Sequence, residues 1–503
     1  MKQQILVIHP EGNIFNNPNL YEILIFLNKY FQTSVLIPKL EINQDNKQNN
    51  SPCKIIEYSN IYNEYNLLAD DNILNDFIER YSLNTYTFTI GIDRLGIYLA
   101  YILYSKFNIN YGYISYEIFF EKESSKEFKL IEKISCQYTN FVIVQDRIRA
   151  HNLQIENNID SNKMIYIPVA GSKEYPYKKN YFIYDLLNIS RSKKMLIYIG
   201  SIDYWSCFNS IFKENLIPED WVFIIHDRYG SSKEKLTAIE PNLPSNIYFL
   251  DITLCTNHDM KKILHSADLG LALYCPDYKS IFTGKNILDI GLSSGKISTY
   301  LQNGLPIITS DNLILREYYK KYHFGYIINK VSELEMILSN YEHNSKFHQD
   351  SINFFNKELS FKNYETTILN LLRSTLKKDV KSSLTLSKNK NLIGSLKYIS
   401  TTYNKIDFSK KFNCLFIQIQ KLKKENQKYI IYGNGTLGKT IKLLLDEKIE
   451  HVDIAEKNNH PIKLLNMKYD KIIISVLGRE NEIVEYLTKE IGINKNRIIT
   501  LEI

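Results

Sequence analysis

Residues 293–306 read Ser293-Ser294-Gly295-Lys296-Ile297-Ser298-Thr299-Tyr300-Leu301-Gln302-Asn303-Gly304-Leu305-Pro306. A loop of small residues opens a helix, and Gly-x-Pro closes that helix into an apolar strand. The first N–H groups of a helix lack partners and sit at its positive dipole end, so a helix start attracts anions. Gly295 lets the backbone approach a phosphate closely. Lys296 adds a mobile positive charge, and Ser294, Ser298 and Thr299 lie around the same turn. That set suits a nucleotide diphosphate. It also fits an ordinary helix–strand unit with a solvent-exposed lysine, and the local chemistry leaves both open.

Other candidates sit where strands are expected to end. His9-Pro10-Glu11-Gly12-Asn13 follows the apolar run 5–8 and would face a cleft at the carboxyl end of that strand. Glu11, Gly12 and Asn13 are the candidates there, with His9 read as a plain loop residue. In Ser115-Tyr116-Glu117, the carboxylate is either a general base or a surface charge. Gln145-Asp146 with Arg149 is expected to act in capping and salt bridging. Gly433-x-Gly435-x-x-Gly438 follows one strand and opens a helix, and Glu456 ends the next strand, where an acid can meet a ribose.

Positioning these groups requires strands that alternate with helices. Strands are expected at 5–8, 87–90, 111–115 and 141–145. A second run holds 195–199, 221–225, 247–250, 269–274 and the segment after Pro306. A third holds 429–432, 451–455 and 471–476. Asn17-Pro18-Asn19 reads as a helix start, with Asn17 as cap and Pro18 in the first turn. Helices are expected at 95–106, 260–266, 295–303, 363–374, 412–424 and through Leu445. The Lys/Ser-rich stretch 374–390 reads as a linker, and the mixed-charge run 121–127 as a solvated loop. This alternation means parallel sheets covered on both faces.

The 503 residues carry 62 Lys+Arg against 55 Asp+Glu, a net charge of +7, with 44% hydrophobic and 13% aromatic residues. At about 150 residues per domain this is about three domains with ample cores, not a disordered chain or a stapled mini-protein. The mild basic excess does not mark a nucleic-acid binder. It suits anionic small molecules or an acidic membrane surface. The six cysteines show no paired spacing, so they are expected to be reduced, and Cys and His never cluster as zinc ligands. The sequence shows no signal peptide and no spanning segment, so a cytoplasmic location, extending to the inner membrane face, is expected.

Lys296, Tyr300, Leu301, Gly304, Pro306, Ile307 and Ile308 make the stretch resemble the donor-binding segment of bacterial group 1 glycosyltransferases of the GT-B fold. The elements before it follow the same order: Tyr198-Ile199-Gly200-Ser201, Phe223-Ile224-Ile225-His226-Asp227, Tyr248-Phe249-Leu250-Asp251 and Ser266 to Leu273. The resemblance covers roughly residues 1–375. It implies two Rossmann-like domains facing a cleft, with Gly200, Ser201, His226, Ser294, Gly295, Lys296, Ser298 and Thr299 on the donor side and Glu117 near the sugar. Two glutamates usual in the family fall on Thr299 and near Gly291. The third unit, with Gly433, Gly435 and Gly438, resembles small Rossmann units attached to sugar-modifying enzymes and methyltransferases.

The sequence thus predicts an α/β chain: an acceptor domain at 1–175, a nucleotide-sugar donor domain at 176–375, a linker and helix at 376–424, and a Rossmann-like domain at 425–503. The expected function is sugar transfer from a nucleotide-diphospho-sugar to a glycan or lipid-linked acceptor in surface polysaccharide synthesis. Lys296 would stabilise the departing diphosphate, with no metal and no cofactor beyond the donor. Self-association and peripheral membrane contact stay open. The alternatives are a non-catalytic sugar-nucleotide-binding or scaffold subunit, and an NAD-dependent sugar-nucleotide-modifying enzyme working through Gly433, Gly435, Gly438 and Glu456.

Overall fold

The computed structural model describes residues 3–377 and 418–501, apart from 13, 16, 40–50, 64–65, 68–69, 125, 228–235, 237–242, 251–256, 420–421, 424, 426, 434, 446–448, 455–459 and 477–479. The chain divides into two units, Met1–Ile399 and Ser400–Ile503.

Unit 1 is built on two sheets. The first contains β1 (Gln4–Ile8), β2 (Gln32–Pro38), β3 (Lys54–Tyr58), β4 (Phe88–Ile92), β5 (Tyr111–Ile114), β6 (Val142–Val144) and β7 (Met164–Tyr166), in the order β3-β2-β1-β4-β5-β6-β7. The second contains β8 (Lys194–Gly200), β9 (Trp221–Asp227), β10 (Ile247–Phe249), β11 (Leu269–Ala272), β12 (Ile307–Ser310) and β13 (Gly325–Ile328), in the order β10-β9-β8-β11-β12-β13. Neighbouring strands run parallel throughout. Both faces are covered, so the central strands are near-continuous apolar runs; Ile5, Leu6, Val7 and Ile8 are wholly buried.

In each sheet the strand order reverses once, between β1 and β4 and between β8 and β11. Such switch points open a crevice at the carboxyl ends of the strands. The glutamate loop follows β1, and the lysine helix Gly295–Gln302 lies beyond β11.

The expected helix start is present. Helix Pro18–Tyr30 begins at the proline, and Asn17 caps it by accepting from the Leu20 N–H at 3.1 Å. The closing helix Glu365–Lys377 supplies Ile368 and Leu372 to the core under the first sheet, beside Phe361.

Tyr300 explains one motif position. Its ring is fully buried and lies over β11, where a Cβ on Gly270 would come within 2.7 Å of the ring. Its hydroxyl accepts from the Ile199 N–H at 2.8 Å, just beyond the β8–β11 register Gly270↔Ile197. Tyr300→Phe strands that buried N–H and is expected to cost about 1–3 kcal/mol. Urea denaturation at constant slope checks this, and an unshifted midpoint would show that the Tyr300–Ile199 hydrogen bond does not stabilise the fold.

Two expectations are corrected. Cys207 and Cys275 form a disulfide, with Cα atoms 5.6 Å apart across 68 residues of sequence. The adjacency of β8 and β11 brings their exits together, which sequence spacing does not show. Cys53 and Cys136 are free and buried, while Cys255 and Cys414 lie outside the described residues. The run 121–127 is not merely a solvated loop: Glu121 pairs with Lys133, and Glu123 accepts from the Lys285 N–H at 2.8 Å. The stretches expected as a linker and as helix 412–424 lie largely outside the described residues.

Unit 2 has one parallel sheet of β14 (Tyr429–Tyr432), β15 (His451–Val452), β16 (Lys471–Ile474) and β17 (Ile498–Thr500), ordered β15-β14-β16-β17. Its switch point lies between β14 and β16. Here Ser475 Oγ donates to the carbonyls of Tyr432 (2.8 Å) and Gly433 (3.0 Å). A Cβ on Gly438 would collide with the Gly433 carbonyl, whereas nothing lies within 4 Å of one on Gly435. The close approach of helix Thr436–Leu445 to β14 therefore requires Gly438. Gly438→Ala is expected to destabilise this turn by about 1–3 kcal/mol, and Gly435→Ala to leave it unchanged. Hydrogen exchange at 432–438 in the full chain reads both; equal exchange would refute the packing role.

Candidate functional site

The donor-side candidates gather at the carboxyl edge of the second sheet. Ser294 caps helix Gly295–Gln302, accepting from the Ile297 N–H at 3.1 Å, and its hydroxyl also bonds that of Tyr274. Ser298 and Thr299 donate to the Gly295 carbonyl at 3.0 and 2.7 Å, so both hydroxyls brace the first turn. Gly295 faces the other lobe: a Cβ there would lie 3.7 Å from Pro18 and 3.5 Å from Val169.

Lys296 projects from that turn into a box of aromatic rings. Its Nζ lies 3.5 Å from the Tyr198 ring centroid, 5.4 Å from Tyr274 and 5.6 Å from Trp205. Ring faces attract an ammonium and hold it in a partly dehydrated setting. Gly200 makes room for the lysine stem. Its φ is +148°, and a Cβ there would sit 3.1 Å from Lys296 Cε. The Ser201 carbonyl accepts from the Tyr198 hydroxyl at 2.6 Å, and His226 is buried at the end of β9, opposite Ile199 in the register. The box has a firm rear wall. Trp205 stacks on Tyr274 with planes 3° apart, and its carbonyl accepts from the Cys275 N–H at 2.8 Å beside the disulfide.

The acceptor-side candidates meet at the switch point of the first sheet. Asp93, buried at the end of β4 with φ +51°, accepts from the N–H groups of Tyr116 (2.7 Å) and Glu117 (2.9 Å). Burial and the facing charges of Glu11 and Glu117 push its carboxyl well above the usual range, against the pull of those two N–H groups. Glu117 is raised to about 7: burial dominates, Arg149 opposes it and Glu11 adds to it. Glu11 is itself raised by desolvation. Gly12 is buried next to it, and its N–H donates to the His9 carbonyl at 3.1 Å. His9 is buried, which lowers its pKa to about 4 and favours the neutral ring. Asn13 lies outside the described residues, as does Glu456 of unit 2.

Asp146 caps as expected, accepting from the N–H groups of Ile148 (2.9 Å) and Arg149 (3.0 Å). It also reaches the second lobe, accepting from the Leu292 N–H at 3.1 Å, and it fills the space that a side chain at Gly291 would occupy. The Arg149 guanidinium donates to the Tyr116 carbonyl (2.6 Å) and to Gln145 (2.8 Å), behind Glu117.

Sequence reasoning did not single out Asp93, Tyr198, Trp205, Tyr274 or Asn286 for the site. Among 38 tyrosines no pattern marks the two that face Lys296. Asp93 had one available signal, an acidic residue directly at a strand-to-helix junction. Among the described residues, no cluster of His, Cys, Asp and Glu is arranged to hold a metal, and no helix is long and apolar enough to cross a membrane.

Residues 292–369 match the family described as Glucosyltransferase 3-like, C-terminal domain. No curated protein matches the chain significantly in sequence. Among solved structures, HepE from Anabaena in complex with UDP-glucose aligns with a TM-score of 0.59 at 11% identity, over 74% of this chain and 99% of its own. Sucrose-phosphate synthase from Thermosynechococcus elongatus aligns at 0.56 and 13%, over 75% and 100%. A glycosyltransferase from Rickettsia africae aligns at 0.55 and 12%, over 75% and 100%. With two parallel sheets that each reverse strand order once, this chain has the GT-B fold of those proteins, and its match to the Glucosyltransferase 3-like C-terminal family falls in the second of the two lobes.

Proposed function

We propose that unit 1 is a glycosyltransferase that moves a sugar from a nucleotide-diphospho-sugar to a hydroxyl of a glycan or lipid-linked acceptor. The observation that carries this reading is Lys296: an ammonium at a helix start, bordered by Gly200 and three aromatic rings, at the switch point of the second sheet. As the glycosidic bond to the donor breaks, negative charge grows on the departing diphosphate. A fixed ammonium and aligned helix N–H groups stabilise that charge without reorganising. HepE, of the same fold, was solved with UDP-glucose, which favours a uridine nucleotide.

Glu117 is assigned as the general base. Its raised pKa places a carboxylate near neutrality at the acceptor-side switch point, where it can take the proton of an attacking hydroxyl. In this proposal the charge stabilisation is assigned to protein groups, with no cofactor besides the donor. Surface polysaccharide assembly at the cytoplasmic membrane face is the finer reading, supported by the net charge of +7.

A second reading, a sugar-nucleotide-binding subunit without turnover, draws on Gly291 and Thr299. Asp146 fills the space at the first position, and the hydroxyl at the second bonds its own helix. The test is a mass-spectrometric screen of UDP-, GDP- and TDP-sugars with octyl glycoside acceptors. Product from any donor supports transfer. Calorimetric binding without product supports the second reading, and neither binding nor product overturns both.

A further inference from the structure

Between Tyr274 and Ser294 the chain leaves the second lobe, docks on the first and returns. The two ends of this excursion are tied by the Tyr274–Ser294 hydroxyl bond; the Tyr274 ring lies 5.4 Å from Lys296 Nζ, and Ser294 caps the helix that carries the lysine. Its middle is held by Asn286, which is 1% exposed. Asn286 Oδ1 accepts from the Ile118 N–H at 3.0 Å, and its Nδ2 donates to the Ile118 carbonyl at 2.9 Å. The amide thus pairs with Ile118 as a neighbouring strand would. Arg149 donates to the same Oδ1 at 3.2 Å. Ile118 is wholly buried and directly follows Glu117, so its two backbone groups have no water to fall back on.

We propose that Asn286 is a positioning residue: through Ile118 it fixes the bend after β5 that carries Glu117 against the segment that leads into the Lys296 helix. This rests on the transferase reading above. The reasoning is geometric. Glu117 and Lys296 belong to different lobes, and Asn286 is a side chain of the connecting segment that pairs with the residue next to Glu117. A base displaced by even 1 Å loses much of its advantage for a bound hydroxyl, while departure of the diphosphate toward water depends on it far less. Loss of the Asn286 pairing should therefore separate transfer from donor hydrolysis.

The experiment compares wild type, Asn286→Ala and Asn286→Asp in the full chain, with UDP-glucose as donor and octyl glycosides as acceptors. Asn286→Asp keeps the acceptor oxygen for Ile118 and Arg149 but removes the donor to the Ile118 carbonyl. For Asn286→Ala the expected result is transfer slowed by about tenfold or more with UDP affinity within about threefold, so that hydrolysis gains on transfer. Asn286→Asp, which sets a carboxylate oxygen against the Ile118 carbonyl, should also slow transfer relative to hydrolysis. A merely structural role would lower both reactions and the affinity together, and that outcome, or an unchanged ratio, overturns the proposal. Hydrogen exchange provides a readout independent of turnover: the Ile118 amide should exchange faster in Asn286→Ala, and unchanged exchange also overturns it. A wild-type chain inert on every nucleotide sugar in the screen overturns the transferase reading, and the positioning role with it, while the exchange result still reports the pairing.

Discussion

Lys296→Ala is expected to slow sugar transfer by roughly a hundredfold or more, the usual cost of removing one preorganised group from developing charge. The ammonium sits among Tyr198, Trp205 and Tyr274, so an alanine also empties part of the aromatic box. Lys296→Met separates the two effects, because its unbranched thioether keeps the packing and lacks the charge. Both variants should lose turnover alike, and Lys296→Met should keep the thermal midpoint within a few degrees, since about 1 kcal/mol moves it only about 2–4 °C in a chain this large. If the charge acts mainly on the leaving diphosphate, kcat falls and the affinity for unreacted donor changes less. Parent-rate turnover by Lys296→Met would refute the diphosphate assignment. A loss confined to Lys296→Ala would point to packing instead.

The place of Lys296 at a helix start was legible because its signal is local. A small-residue loop, a basic residue and a Gly-x-Pro stop all fall within one helix and its flanks. The strand–helix alternation of both lobes was legible for the same reason, through apolar runs and the Asn17-Pro18 start. What sequence did not show is what tertiary adjacency creates. The strand Gln32–Pro38 and the edge strand Lys54–Tyr58 went unremarked, and the latter is only half-buried with a mixed pattern. The Cys207–Cys275 bond depends on β8 and β11 being neighbours. Glu123 read as one charge in a solvated run, yet its carboxylate meets the segment at Lys285, 162 positions away. Ser298 and Thr299, expected to face a ligand, turn back on the Gly295 carbonyl, as hydroxyls in a first helical turn readily do. In unit 2 the glycine spacing was visible, but sequence does not separate the packing glycine, Gly438, from the open one, Gly435.

Glu117→Gln is expected to lower transfer by about 10²–10⁴-fold, the range for a positioned general base. The amide keeps the shape and cannot take the proton of the acceptor hydroxyl. The pH profile carries the sharper test. With its pKa raised to about 7, Glu117 is protonated below neutrality and inactive as a base. Wild-type kcat/KM should therefore fall as pH drops through about 7, and the Gln variant's small residual rate should lack that limb. The neighbours give the sign of two further shifts. Glu11 raises this pKa by like charge, so Glu11→Gln should move the acid limb to lower pH. Arg149 lowers it by opposite charge, so Arg149→Met should move the limb up, with some loss of rate because its guanidinium also supports the Tyr116 carbonyl. Opposite shifts from these two variants would tie the limb to the carboxylate between them. A limb that persists in Glu117→Gln, or that ignores both neighbours, would assign the titration to another group and leave Glu117 as part of the acceptor-lobe framework, with Asp93 holding its backbone in place.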